Sequence, residues 1–99
     1  MSKYHAKRSG AFASKREANR AGDLELQQKL GLISDLEYQV KFELVPKQDG
    51  ERAVTYTADF RYKENGQTVV EDSKGMKTQQ YVIRRKLMLY IHGIKVRET

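Results

Sequence analysis

Asn65-Gly66 sits between two runs of strand composition, and no other feature limits the fold of this chain as tightly. Val54 to Tyr62 reads V-T-Y-T-A-D-F-R-Y and Gln67 to Lys74 reads Q-T-V-V-E-D-S-K, both rich in β-branched and aromatic residues. With Glu64-Asn65-Gly66 as turn chemistry between them, the segment predicts a β-hairpin. Side chains alternate along a strand, so Val70, Asp72 and Lys74 share one face while Val69, Glu71 and Ser73 share the other. The turn folds the second strand back beside the first, which lets Asp59 lie across from Asp72, thirteen positions later. Two facing carboxylates repel unless a proton or a cation intervenes, and a hard divalent ion with oxygen ligands is the natural partner. Aspartate is disfavoured within strands, and here it interrupts two of them. Such breaks in a local rule are where functional sites tend to sit.

The chain of 99 residues is expected to form one domain around a single modest core. Nineteen basic against thirteen acidic residues give a net charge of +6, which favours anionic partners such as nucleic acid or an acidic membrane face. There is no cysteine, which excludes disulfides and thiolate zinc sites, and His5 and His92 are too few for an ordinary zinc centre. Any metal chemistry must use oxygen. With neither an apolar run of membrane-spanning length nor a secretory leader in the sequence, an intracellular, soluble protein is expected.

Residues 1 to 13 carry Lys3, Lys7 and Arg8 without an apolar period and read as a basic arm ahead of a domain over 14 to 99. Ser14-Lys15-Arg16-Glu17 has the form of a capping box, opening a helix that runs to about Leu30 and is closed by Gly31. Ala18, Leu26, Leu30 and Ile33 mark its expected buried side, and Ala21 and Gly22 permit close approach of a neighbour. From Leu36 to Leu44 apolar and polar residues alternate strictly, predicting a half-buried strand with Leu36, Tyr38, Val40, Phe42 and Leu44 on one side. A polar loop over 46 to 52 leads to the hairpin. A second helix is expected from about Thr78 to His92 with Gly93 as its stop, then a short strand over Ile94 to Arg97. The order α-β-β-β-α-β implies a mixed sheet with one parallel pair joined by a crossover helix.

Several residues have two readings. Glu17 fits the third position of a capping box on backbone grounds alone, yet it ranks first as a third acid for the Asp59–Asp72 pair, ahead of Glu25. Glu71 adjoins Asp72 but should project from the opposite face. Lys77 with Arg84-Arg85-Lys86 forms either a solvated helix face or a phosphate-contacting surface next to the carboxylates. His92 is expected to stabilise a helix end. Tyr38, Phe42, Phe60, Tyr62 and Tyr90 follow the element periods and are expected in the core or in strand pairs.

With this order and these residues, the chain resembles the PD-(D/E)XK, or restriction-endonuclease-like, nuclease superfamily. More narrowly, it is similar to a family of small phage and prophage proteins related to Holliday-junction resolvases. The marks are F-A-S-K-R-E-A at 12 to 18, Q-K-L-G-L-I-S-D-L-E-Y-Q at 28 to 39, T-A-D-F at 57 to 60, V-V-E-D-S-K-G at 69 to 75 and Y-V-I-R-R-K-L-M-L-Y at 81 to 90. The superfamily's first acid falls on Asp59, its acid-x-Lys on Asp72-Ser73-Lys74, and its helix acid on Glu17. Ala58 stands where a proline is usual, and the middle acid is aspartate in place of the commoner glutamate.

The resemblance implies an α/β fold and Mg²⁺ or Mn²⁺ held by Asp59, Asp72, the Ser73 carbonyl and Glu17. Lys74 would orient or help deprotonate the attacking water. Lys15, Arg16, Lys77, Arg84 and Arg85 would contact DNA. The implied activity is a metal-dependent endonuclease, structure-specific for branched DNA, working as a homodimer in a bacterial host or prophage. Alternatives are a non-catalytic DNA-binding accessory protein and an interaction module of a phage replication or packaging complex.

Overall fold

The computed structural model describes residues 12–99. The elements are α1 (Lys15–Lys29), β1 (Ser34–Val45), β2 (Val54–Glu64), β3 (Gln67–Asp72), α2 (Gln79–His92) and β4 (Arg97–Glu98). The four strands form one sheet in the order β1-β2-β3-β4, antiparallel except for the parallel pair β3–β4 that α2 connects. This is the expected α/β core with one parallel strand pair.

Local chemistry sets most of the element ends. Ser14 is the N-cap of α1 and its hydroxyl accepts from the Glu17 N–H at 3.1 Å, while Gly31 follows the helix at φ +81°. Thr78 caps α2 in the same way through the Tyr81 N–H, and Gly93 closes it in the left-handed region. In the hairpin turn both Asn65 and Gly66 have positive φ, the backbone of a type I′ turn that matches strand twist. It pins Glu64 opposite Gln67 and Phe60 opposite Glu71.

The core has two parts on opposite faces of the sheet. One, under α2, gathers Leu44, Tyr56, Ala58, Val70, Tyr81, Met88 and Val96. The other, under α1, gathers Ala21, Leu24, Ile33, Phe60 and Tyr62 with Leu36, Tyr38 and Val69 against them. Val69 and Val70 are neighbours on β3 and so define the two faces.

Four expectations change. The strict alternation of β1 predicts one buried side, but Leu36 and Tyr38 pack under α1 whereas Phe42 packs with Leu44 under α2. The reason is Gln39, whose left-handed φ of +52° turns the strand over between them. On β2 the same reversal falls between Tyr56 and Ala58 on one cluster and Phe60 and Tyr62 on the other, leaving Ala58, Asp59 and Phe60 buried in succession. Both strands turn over together, so Tyr38 still pairs with Phe60 and Val40 with Ala58.

The second change is the buried stripe of α1, which runs through Glu17, Ala21 and Leu24 at helical spacing and leaves Leu26 and Leu30 exposed. So few apolar residues on this helix cannot fix its rotation. Third, the final strand is confined to Arg97–Glu98, while Ile94 and Val96 serve the core under α2. Tyr90, expected inside, lies on the outer side of α2 and is 86 % exposed. The expected basic arm, residues 1 to 13, lies outside the described residues up to position 11; Phe12 packs its ring on Tyr38 at 5.8 Å.

Candidate active site

Regular alternation would set Tyr56 and Asp59 on opposite faces, since they are three positions apart. The reversal in β2 brings both to Asp72. Asp72 is fully buried at the end of β3, and its Oδ2 accepts from the Tyr56 hydroxyl. β3 ends there, which frees the Ser73 N–H from the ladder to donate to Asp59 Oδ2 at 2.9 Å. Irregular pairing next to a site, re-aiming side chains, is a recurrent use of such strand defects.

The remaining oxygen of Asp72 explains the character of the cluster. Lys74 Nζ lies 3.2 Å from Asp72 Oδ1, an ion pair by distance, but its direction does not make a hydrogen bond and Oδ1 stays without one. Burying such an oxygen is costly, and the Lys74 charge offsets part of that cost. Lys74 is also held over the Tyr81 ring, 5.5 Å from its centre.

Electrostatics link four side chains. Asp59 is pushed up to about 7, chiefly by burial and then by its hydrogen bond and charge repulsion with Asp72, against which the Ser73 N–H works. Glu17 is 4 % exposed and is raised by burial, opposed by the Ala13 backbone donor and the Lys74 charge. Burial alone would lower Lys74, but the charges of Asp72, Asp59 and Glu17 outweigh it and hold the ammonium above its ordinary range. The lysine is therefore a firm cation here.

Glu17 is held by a partner that sequence reasoning missed. Gln39 Nε2 donates to Glu17 Oε2 at 2.8 Å, so the residue that reverses β1 also steadies the helix acid. Glu25, the rival third acid, receives the Tyr38 hydroxyl further along α1. Glu71 projects from the α1 face, as the alternation of β3 predicts. Arg20 grips it with two bonds of 2.6 and 3.0 Å, and Tyr62 and Thr99 complete its oxygens. Despite complete burial, these donors hold Glu71 below the usual carboxylate range. It is a satisfied structural acid.

Most of the expected DNA-contact residues are engaged by the protein itself. Lys77 and Arg85 both reach Glu98, at 3.4 and 3.0 Å, and Arg16 Nε donates to the Thr99 carbonyl at 3.3 Å. Arg84 Nε donates to the Thr55 carbonyl at 3.0 Å, and Lys15 is exposed on the first turn of α1. His92 approaches the Glu43 carbonyl at 2.7 Å, which ties the end of α2 to β1.

A family model matches residues 1–98. The chain belongs to the DUF1064 family, described as a protein of unknown function. No curated protein and no solved structure matches it.

The donor set can be tested against a divalent cation. Among the described residues, no group of three or more His, Cys, Asp or Glu side chains is close enough to hold a metal by itself. Asp59 and Asp72 supply two carboxylates, one with a buried oxygen lacking a hydrogen bond, and the Ser73 carbonyl lies between Asp72 and Lys74 in sequence. Mg²⁺ is commonly held by one or two carboxylates while keeping several waters. The pair fits such an ion, with Glu17 close enough to add charge.

Proposed function

We propose that this chain is a divalent-metal-dependent endodeoxyribonuclease of the PD-(D/E)XK type, acting on branched or otherwise structured DNA. The observation that carries the reading is Asp72: a fully buried carboxylate with one oxygen lacking a hydrogen bond, next to Asp59 and 3.2 Å from Lys74.

Asp59, Asp72 and the Ser73 carbonyl would hold Mg²⁺ or Mn²⁺, with Glu17 adding charge from α1. Bound there, the ion would supply Lewis-acid stabilisation of charge on the scissile phosphate and a more acidic water. The Ser73 N–H fixes the Asp59 carboxylate, and Tyr56 fixes one Asp72 oxygen so that the other faces the site. Lys74, kept protonated by the three acids, places a positive charge beside a phosphate oxygen or the attacking water. The net charge of +6 favours a polyanionic substrate, and phosphate contacts of this kind carry no sequence information. Two-strand cutting by so small a domain calls for a homodimer.

Purified protein is assayed on duplex, flap, four-way-junction and single-stranded DNA with Mg²⁺ or Mn²⁺. Cleavage that chelation stops and that Asp72→Ala removes is the expected result. A second reading, a DNA-binding accessory protein without catalysis, draws support from the described residues, which place no third carboxylate close enough to join Asp59 and Asp72 in holding a metal. Calorimetric titration separates the two, since specific Mn²⁺ uptake dependent on Asp59 and Asp72 belongs to the nuclease alone.

A further inference from the structure

A cleft of about 450 Å³ opens beside the carboxylates, between the start of β2 and the first turns of α2. Lys74 and Tyr56, which touch Asp72, form one end of it, and Arg84 stands among its lining residues with Thr55, Thr57 and Thr78. Among the described residues no acid lines it, although thirteen acids are spread over the chain. Two neighbouring basic residues are engaged, since Lys77 and Arg85 share Glu98. Arg84 differs. Its Nε is bound to the Thr55 carbonyl, which anchors the guanidinium on the sheet, and no protein carboxylate pairs with its two terminal nitrogens among the described contacts. A planar fork fixed at one nitrogen, on a residue that lines an acid-free cleft, suits a phosphate oxygen pair.

We infer that this cleft is a second phosphate site, in which Arg84 takes the backbone phosphate next to the one held at Asp59, Asp72 and Lys74. The inference rests on the proposed nuclease reading for the identity of the first phosphate. It adds that the substrate must be a polynucleotide strand with at least two consecutive phosphates, and that α2 holds one strand in the cleft by charge and not by base reading. Thr57 and Thr78 supply hydroxyl donors at its walls without adding charge.

The test compares wild type, Arg84→Gln, Arg84→Lys and, as a charge-matched control on the far helix, Lys29→Gln. Each is assayed on a DNA oligonucleotide and on bis(p-nitrophenyl) phosphate, a diester with no second phosphate. Arg84→Gln is expected to lower oligonucleotide cleavage at least tenfold more than it lowers cleavage of the small diester. Its oligonucleotide binding, measured in Ca²⁺ across salt concentrations, should lose about one from the log-log salt slope. Arg84→Lys, which keeps the charge without the anchored fork, should recover the slope and only part of the rate. Equal losses on both substrates, or an unchanged salt slope, overturn the second phosphate site while leaving the nuclease reading intact. A wild type that cuts neither substrate but shows the Arg84-dependent slope overturns the nuclease reading and keeps the phosphate site.

Discussion

Asp59→Asn is expected to make this protein more stable at neutral pH while removing the proposed nuclease activity. The folded Asp59 carboxyl keeps its proton up to about 7, against an ordinary value of 3.8, so ionising it in place is unfavourable. At about 1.4 kcal/mol per decade of proton affinity the full difference is ~4 kcal/mol. Asparagine keeps part of the cost of burying a polar side chain, so a gain of about half of this, ~2 kcal/mol, is expected. Asparagine keeps the oxygen that accepts from the Ser73 N–H and cannot ionise. The folded state holds the extra proton between about pH 4 and pH 7, so wild-type stability falls as pH rises through that window. The variant escapes that fall. Its advantage is full above about pH 7 and vanishes below about pH 4. For a domain of this size ~2 kcal/mol is roughly 8–16 °C in Tm. Thermal unfolding of both proteins in chelator, from pH 4 to pH 8, reads the difference directly. A variant with native secondary structure that melts at or below the wild-type temperature at pH 8 would refute the reasoning. Adding Mg²⁺ should raise the wild-type Tm and leave the variant nearly unmoved, because an ion that binds the folded state stabilises it.

Lys74→Ala should abolish Mg²⁺-dependent cleavage and leave DNA binding largely intact, checked by cleavage assay and electrophoretic mobility shift. Glu71 is expected to be structural: Arg20→Ala strands a buried carboxylate and should cost about 3–5 kcal/mol in chemical denaturation. Since Glu71 is held below its ordinary range, its contribution is present above the unfolded carboxyl value and is lost as pH falls, so the penalty of Arg20→Ala should shrink in acid. Tyr56→Phe removes a hydroxyl donor from the buried Asp72 and should destabilise the fold by about 1.5–3 kcal/mol, read by the same denaturation. Leu24→Ala, at a fully buried position under which α1 meets the sheet, should cost about 2–5 kcal/mol.

What the residues themselves decide is local. Ser14 and Thr78 as caps, Gly31 and Gly93 as stops, and Asn65-Gly66 as a type I′ turn act within a few residues of their own position, so element order and the hairpin follow from them. The proximity of Asp59 and Asp72 is legible for the same reason, because a short turn carries one strand back along the other. What only the tertiary structure decides is how distant pieces are rotated. Gln39 takes a left-handed backbone that costs a non-glycine residue roughly 1–2 kcal/mol, and nothing in its neighbours' sequence requires it. Yet it reverses β1 in step with β2 and lets Tyr56 join Asp59 at Asp72. The rotation of α1, which buries Glu17 and exposes Leu26, is set by the sheet it meets and not by its own thin apolar pattern. Likewise Lys77, Arg84 and Arg85 look equivalent along the chain, and only the folded position of Glu98 and of the Thr55 carbonyl separates the paired cations from the one that lines the cleft. Short-range rules fix backbone geometry because they are satisfied before the chain folds back on itself; side-chain partners across tens of residues exist only after it has.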